Sequence, residues 1–212
     1  VISPETLALL KTLSPGGPKY NYFGFLKMHG GRLYTCGGES GKTQEACVQV
    51  LDPNGWEIYQ DNGISQVTGV KYENIYALDI DPNNPKRLIA GGRNGIYEFN
   101  EGKFVKFYNS VNSPIESYTL IDKEYELVTG VKFDPTGNLW LLNSQAPTQS
   151  LLSYNTDFQF KTYPQSELMK LDDNGFKNKS LGDLRGMMLD SRGIMWFVNA
   201  NWFLPSLYAY RT

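Results

Sequence analysis

The side chains able to do chemistry are few, and most lack support from their neighbours in sequence. The 212-residue chain holds one histidine, His29, and two cysteines, Cys36 and Cys47. A general base needs a nucleophile in reach and an orienting acid behind it. His29 has neither nearby, and it stands beside the turn formers Gly30-Gly31. One histidine and two cysteines do not make a structural zinc set. Gly37-Gly-Glu-Ser-Gly-Lys-Thr43 imitates a phosphate-binding loop. The true pattern separates its first glycine from Gly-Lys-Thr by four residues, which puts Cys36 where that glycine belongs. Such a loop also leads into a helix, whereas Ala46–Leu51 reads as a strand. Asp79, Asp81 and the run Leu171-Asp-Asp-Asn-Gly175 lack the alternating oxygen spacing that calcium takes. No metal and no cofactor is expected. Glycoside cleavage would need two carboxylates converging from distant segments, and no acid stands out as one of them. Cys36 and Cys47 lie on the two arms of one expected hairpin. A disulfide in an oxidising compartment and two buried free thiols both remain open.

The elements that must position these groups repeat along the chain. Val131-Lys-Phe-Asp-Pro-Thr-Gly-Asn-Leu-Trp140-Leu-Leu-Asn143 aligns without a gap on Met187-Met-Leu-Asp-Ser-Arg-Gly-Ile-Met-Trp196-Phe-Val-Asn199, at an offset of 56 residues. Ala77–Gly92 is a third copy with a longer turn, and Phe25–Gly38 is a weaker fourth. The anchors Tyr34, Ile89, Trp140 and Trp196 are 55, 51 and 56 residues apart, a spacing near the long end of propeller repeats. Each copy reads as strand, tight turn, strand, with Asp and Gly as turn residues. Further strand pairs follow at Val48–Leu51 and Trp56–Tyr59, at Gly95–Phe99 and Phe104–Tyr108, and at Leu151–Tyr154 and Phe158–Tyr163. Four-stranded meanders at a fixed period make an all-β propeller. About four blades are expected, spanning roughly 20–60, 70–108, 128–164 and 184–212, as an open arc of a larger propeller. The last unit ends at its third strand, Leu207–Tyr210. Glu5–Leu13 reads as the outer strand of a preceding blade, or of the last one, or as a short helix. The long polar connection Gln165–Leu184 could order a short helix, and reads first as a surface loop.

Composition narrows the partners. Twenty Lys and Arg against 22 Asp and Glu give a net charge of −2, which argues against nucleic acid. No apolar run reaches the roughly 18 residues of a membrane span. The start, Val1-Ile2-Ser3-Pro4, carries no basic segment followed by an apolar one, so the chain is expected to be processed or excised from a longer one.

The turn and strand Asp134-Pro-Thr-Gly-Asn-Leu-Trp140 resemble the two-component regulator propeller repeats of Bacteroidetes. The order of Leu13-Ser-Pro-Gly-Gly-Pro18, Gly31-Arg-Leu-Tyr34, Gly95-Ile-Tyr-Glu-Phe-Asn-Glu-Gly-Lys103 and Asn109-Ser-Val-Asn-Ser-Pro-Ile-Glu-Ser117 resembles the PorZ-like propellers of type IX secretion more closely. The long hairpin from Cys36 to Cys47 and the short chain depart from both. The first resemblance implies a periplasmic glycan-sensing domain. The second implies a periplasmic or cell-surface propeller accessory to secretion and surface attachment, with lipopolysaccharide handling. Neither brings a catalytic residue.

The reading that follows is a non-catalytic binding module for a protein partner or a cell-surface glycan or lipopolysaccharide. A propeller-fold glycan lyase or hydrolase is the alternative. The exposed sheet edges could also support a homo-oligomer. Loops between second and third strands share one face of a propeller with the loops that join blades. On that face the expected contacts are Arg93, Asn94, Asn143, Gln145, Asn199, Asn201 and Trp202. Trp140 and Trp196 hold equivalent strand positions and are expected in the core. Trp202 and Phe203 lie in a turn, where two large aromatics exceed what folding needs.

Overall fold

The computed structural model describes residues 4–6, 16–37, 43–118, 124–171 and 177–212. The protein is all-β, with four antiparallel sheets set as the blades of a propeller. Blade 1 holds β1 (Phe25–His29), β2 (Arg32–Cys36), β3 (Val48–Asp52) and β4 (Gly55–Ile58). Blade 2 holds β5 (Ile75–Asp81), β6 (Asn84–Gly92), β7 (Gly95–Asn100) and β8 (Lys103–Tyr108). Blade 3 holds β9 (Val128–Phe133), β10 (Leu139–Asn143), β11 (Leu151–Tyr154) and β12 (Phe160–Tyr163). A hairpin of β13 (Met169–Leu171) and β14 (Lys177–Ser180) precedes blade 4, which holds β15 (Leu184–Leu189), β16 (Ile194–Asn199) and β17 (Ser206–Arg211). Each blade is a plain meander, with neighbours in sequence paired in space. The strands β1, β5, β9 and β15 lie innermost, each against the next.

The repeated turn explains itself in bonds. Asp134 accepts the backbone N–H groups of Thr136 and Asn138, both at 2.9 Å, and the indole N–H of Trp140 at 3.2 Å. Asp190 accepts those of Arg192 at 2.8 Å and Ile194 at 3.0 Å, and the indole of Trp196 at 3.1 Å. The aspartate closes the turn and holds the tryptophan six residues on. Gly137 and Gly193 sit at φ 93° and 76°, where a side chain would be strained. These bonds hold both carboxyls ionised. Burial raises the Asp134 pKa, and its hydrogen bonds more than offset this, so the net shift is downward. The Ile194 amide, then Arg192 and Trp196, lower that of Asp190.

Three apolar clusters form the core, each between consecutive blades. Val50, Leu78 and Tyr97 belong to the first, Ile96, Val131 and Tyr154 to the second, and Trp140, Leu142 and Phe197 to the third. Buried Asp79 adds a polar tie. It accepts the Phe133 amide at 2.8 Å and pairs with Lys132 at 3.1 Å and with Lys27. One carboxylate on blade 2 thus joins the inner strands of blades 1 and 3.

The two ends of the arc differ. The outward face of blade 1 carries Leu26 and Met28, 59% and 65% exposed, and the segment before β1 crosses the rest of it in part. Phe23 stacks on Trp56, and Gln49 exchanges two hydrogen bonds with the backbone of Tyr20, at 3.0 and 2.9 Å. A Cβ on Gly37 would come within 2.2 Å of the Tyr22 ring, so that crossing requires glycine there. The outward face of blade 4 is uncovered by any described segment, and Met188 and Leu207 stand 57% and 65% exposed on it.

Three expectations are corrected or settled. Trp196 is half-buried on this outer face, while Trp140 is buried between blades 3 and 4. The motif is the same, and only Trp140 has a following blade. Cys36 and Cys47 are free and buried. Cys36 pairs with Val48, so Cys47, one residue earlier, points to the opposite face of the sheet. The connection 165–184 is no plain loop, since it forms a single 3-10 turn (Ser166–Leu168) and the hairpin β13–β14. The connection between blades 1 and 2 also forms one helical turn, α1 (Ile64–Thr68). Of the segment Glu5–Leu13, residues 7–13 lie outside the described residues, as do residues 38–42 of the glycine-rich loop.

Candidate functional site

The second-to-third strand loops of blades 3 and 4 face each other across a cleft of about 470 Å³. The β10–β11 loop brings Gln145, and the β16–β17 loop brings Asn201, Phe203 and Leu204, with Asn199 at its base. The hairpin β13–β14 supplies Lys170, Lys179 and Ser180, and the connection after blade 2 supplies Tyr118. No aspartate or glutamate lines the cleft among the described residues.

Local bonds set each wall. Gln145 adopts φ 61° and donates through Nε2 to the carbonyl of Gly182 at 3.2 Å. Asn199 accepts the Asp183 amide at 3.3 Å and donates to the Leu204 carbonyl at 2.8 Å, so it braces the loop. Asn201 accepts the Phe203 amide at 3.0 Å and keeps its amide nitrogen uncommitted among the described residues. Trp202 and Phe203 contact each other, with ring centroids 3.6 Å apart, and stand 78% and 75% exposed. Phe203 lines the cleft, and Trp202 lies outside it.

Aromatic and ionic contacts fix the far wall. Lys179 Nζ stands 3.3 Å from the centroid of the Tyr118 ring. Tyr118 meets Tyr125 edge to face at 5.2 Å. Arg93 lies 4.4 Å from the Tyr125 ring and pairs with Glu73 at 3.1 Å. This relay runs from blade 2 to the hairpin.

The residues expected from sequence therefore divide. Gln145, Asn199 and Asn201 meet at one cleft. Arg93 acts behind it, on Tyr125. Asn94 is fully buried and donates to the Lys71 carbonyl at 2.7 Å. Asn143 is fully buried, accepts the Glu116 amide at 2.7 Å and donates to the Leu127 carbonyl at 3.2 Å. Both amides hold loops in place. Tyr118, Lys170 and Lys179 were missed. They lie in irregular connections outside the repeat, so no periodicity marks them.

A second, more open depression lies at the opposite end of the inner strands, lined by Lys27, His29, Asp79, Lys132, Asp134 and Asp190. Its three carboxylates are committed to the bonds already given. No group of three or more His, Cys, Asp or Glu is placed to hold a metal ion among the described residues. Burial pushes the Cys36 thiol up, and it pushes Cys47 up to about 12, so neither is poised as a thiolate. No helix among the described residues is long and apolar enough to cross a membrane.

No family model matches the chain, and no curated protein does. Solved structures do. PorZ of Porphyromonas gingivalis, a bacterial surface component of the type IX secretion system, superposes with a TM-score of 0.79 at 17% identity. The match covers 94% of this chain and 26% of that one. The extracellular domain of a hybrid two-component system of B. thetaiotaomicron gives 0.43 at 14% identity, covering 80% and 18% of the two chains. A luciferin-regenerating enzyme gives 0.47 at 13%, covering 85% and 52%. The last two lie too low to weigh for or against any activity. The chain spans about a quarter of the PorZ chain, and what the two share at this identity is the fold: consecutive four-stranded blades of a β-propeller.

Proposed function

We propose that this propeller is a non-catalytic binding module that works outside the cytoplasm. Its contact site is the cleft between the loops of blades 3 and 4, and its ligand is a cell-surface glycan. The observation that carries this reading is the lining: amide, hydroxyl and aromatic groups converge there, and no acid lines it among the described residues. Amides match sugar hydroxyls, and an exposed ring such as Phe203 offers an apolar face to a sugar ring. The fold likeness to PorZ supports a place at the bacterial surface and an accessory role in secretion or attachment. The test is capture of fluorescent glycans on an array, by the protein and by Asn201→Ala and Phe203→Ala. Binding lost in both variants, with melting temperature kept, supports the reading. Binding that both variants retain moves the site elsewhere. Turnover of any bound glycan would replace the module with an enzyme.

A further inference from the structure

The joints between blades repeat residue by residue. On the side of a blade that meets the following one, Val48, Ile96, Leu151 and Leu207 hold one position. Each is the cross-strand partner of the residue two after the repeat anchor: Cys36, Gly91, Leu142 and Val198 in turn. Val48, Ile96 and Leu151 are fully buried, one in each interblade cluster, whereas Leu207 is exposed. On the side that meets the preceding blade, Met28, Ile80, Phe133 and Leu189 hold one position, each opposite the residue before the anchor. Ile80 is buried in the first cluster, Phe133 in the second, and Leu189 packs on the third. Met28 is exposed, as is its neighbour Leu26, the counterpart of buried Leu78 and Val131. The four blades therefore show half of a joint on each flank, and the halves are unlike. Blade 4 presents the half that receives a following blade, and blade 1 the half that receives a preceding one. The strap over blade 1 does not block its half. At the first joint the connection 59–72 likewise lies on the outer strands of blade 2, with Tyr72 against Tyr97 and Tyr59 against Phe99.

We infer that blade 4 of one copy of this chain docks on blade 1 of a second copy, and blade 4 of the second on blade 1 of the first. Each half-joint thereby meets the half it matches, and Met188, Trp196 and Leu207 bury against Leu26 and Met28 of the other copy. Such a contact is heterologous, and it forms a ring where the rotation closes. Two copies of four blades close a ring of eight, at the upper end of the range that propellers adopt. No covalent link holds these two joints, so dilution separates the copies and leaves each flank open. The inference makes no use of the glycan cleft.

Light scattering over a range of concentrations tests it. The mass should be that of one chain when dilute and of two when concentrated, with no further rise. Met188→Asp/Leu207→Asp on blade 4 and Leu26→Asp/Met28→Asp on blade 1 should each raise the midpoint of association about a hundredfold or more, since each pair removes two apolar anchors from both joints. All four side chains are exposed in the single copy, so melting temperatures taken at high dilution should stay near that of the parent. If one falls, the serine versions of the same pairs are read instead. Mixed one to one, the two variants retain one intact joint, the blade 4 of one on the blade 1 of the other. The mixture should form a pair of unlike copies at concentrations where each variant alone stays single. A parent that stays single at every concentration would overturn the inference. So would a mass that keeps climbing, which means an open filament. A pair broken by only one of the two variants would show like faces meeting, and would overturn it too. So would a mixture of folded variants that does not associate.

Discussion

Asp134 and Asp190 show what one residue contributes in this fold. Each is acceptor to a turn and to the tryptophan of its own motif. Asp134→Ala strips several hydrogen bonds at once and leaves buried donors unpaired, for a loss of about 2–3 kcal/mol in denaturant unfolding. Asp134→Asn retains the shape and should lose less. Both carboxyls have native pKa values below the ordinary 3.8. The sign follows: their contribution is full above about pH 4 and is lost as pH falls through the lower native values. Acid melts of the parent should be steeper between about pH 4 and pH 2 than those of the double Asn variant. The thiols give a simpler check. Cys36 and Cys47 should resist a thiol reagent in the native protein, and both should react after denaturation. Residue identity made the turns legible in sequence, because Asp and Gly at fixed offsets have few other uses. It did not separate asparagines that contact a ligand from those that brace a loop. Asn94 and Asn143 look like Asn201 on paper, and only their burial tells them apart.

At the scale of the element, the same motif has two outcomes. Trp140 packs against Tyr163 and Tyr210, with ring centroids 5.0 and 5.8 Å away. Trp140→Ala should therefore cost about 3–5 kcal/mol in unfolding free energy. Trp196 keeps its bond to Asp190 and has solvent on one side, so Trp196→Ala should cost no more than about 1–2 kcal/mol. Comparable losses would mean that something covers blade 4 in solution. The strands themselves were legible because alternation and turn chemistry agreed in nearly every hairpin. The hairpin β13–β14 was not. Its strands are short, its residues are polar, and its pairing depends on the neighbouring loops, as when Ser180 donates to the Ala146 carbonyl at 2.8 Å. That is why two cleft lysines escaped a reading built on periodicity.

For the whole molecule, cohesion runs between neighbouring blades, and Asp79 reaches two of them at once. Asp79→Ala would leave Lys27 and Lys132 facing each other without their carboxylate. Removing one member of a buried charge group costs about 3–5 kcal/mol. Urea unfolding monitored by tryptophan fluorescence should show that loss, and a loss of cooperativity would appear as a lower slope. The number of blades and their order followed from the repeat. The closeness of two loops 56 residues apart did not, because it depends on how consecutive blades turn about the axis.

The strap over blade 1 covers that sheet only in part. Phe23 lies on Trp56 and the Tyr20 backbone is bonded to Gln49, yet Leu26 and Met28 stand 59% and 65% exposed beside them, as far out as Met188 and Leu207 on blade 4. Both flanks of the four-blade array therefore offer apolar surface to whatever lies next to them. A hydrophobic dye should bind the dilute protein at both. Leu26→Ser/Met28→Ser and Met188→Ser/Leu207→Ser should each remove part of its signal, and the two pairs together most of it. Signal lost through one pair alone would mean that the other flank is covered in solution.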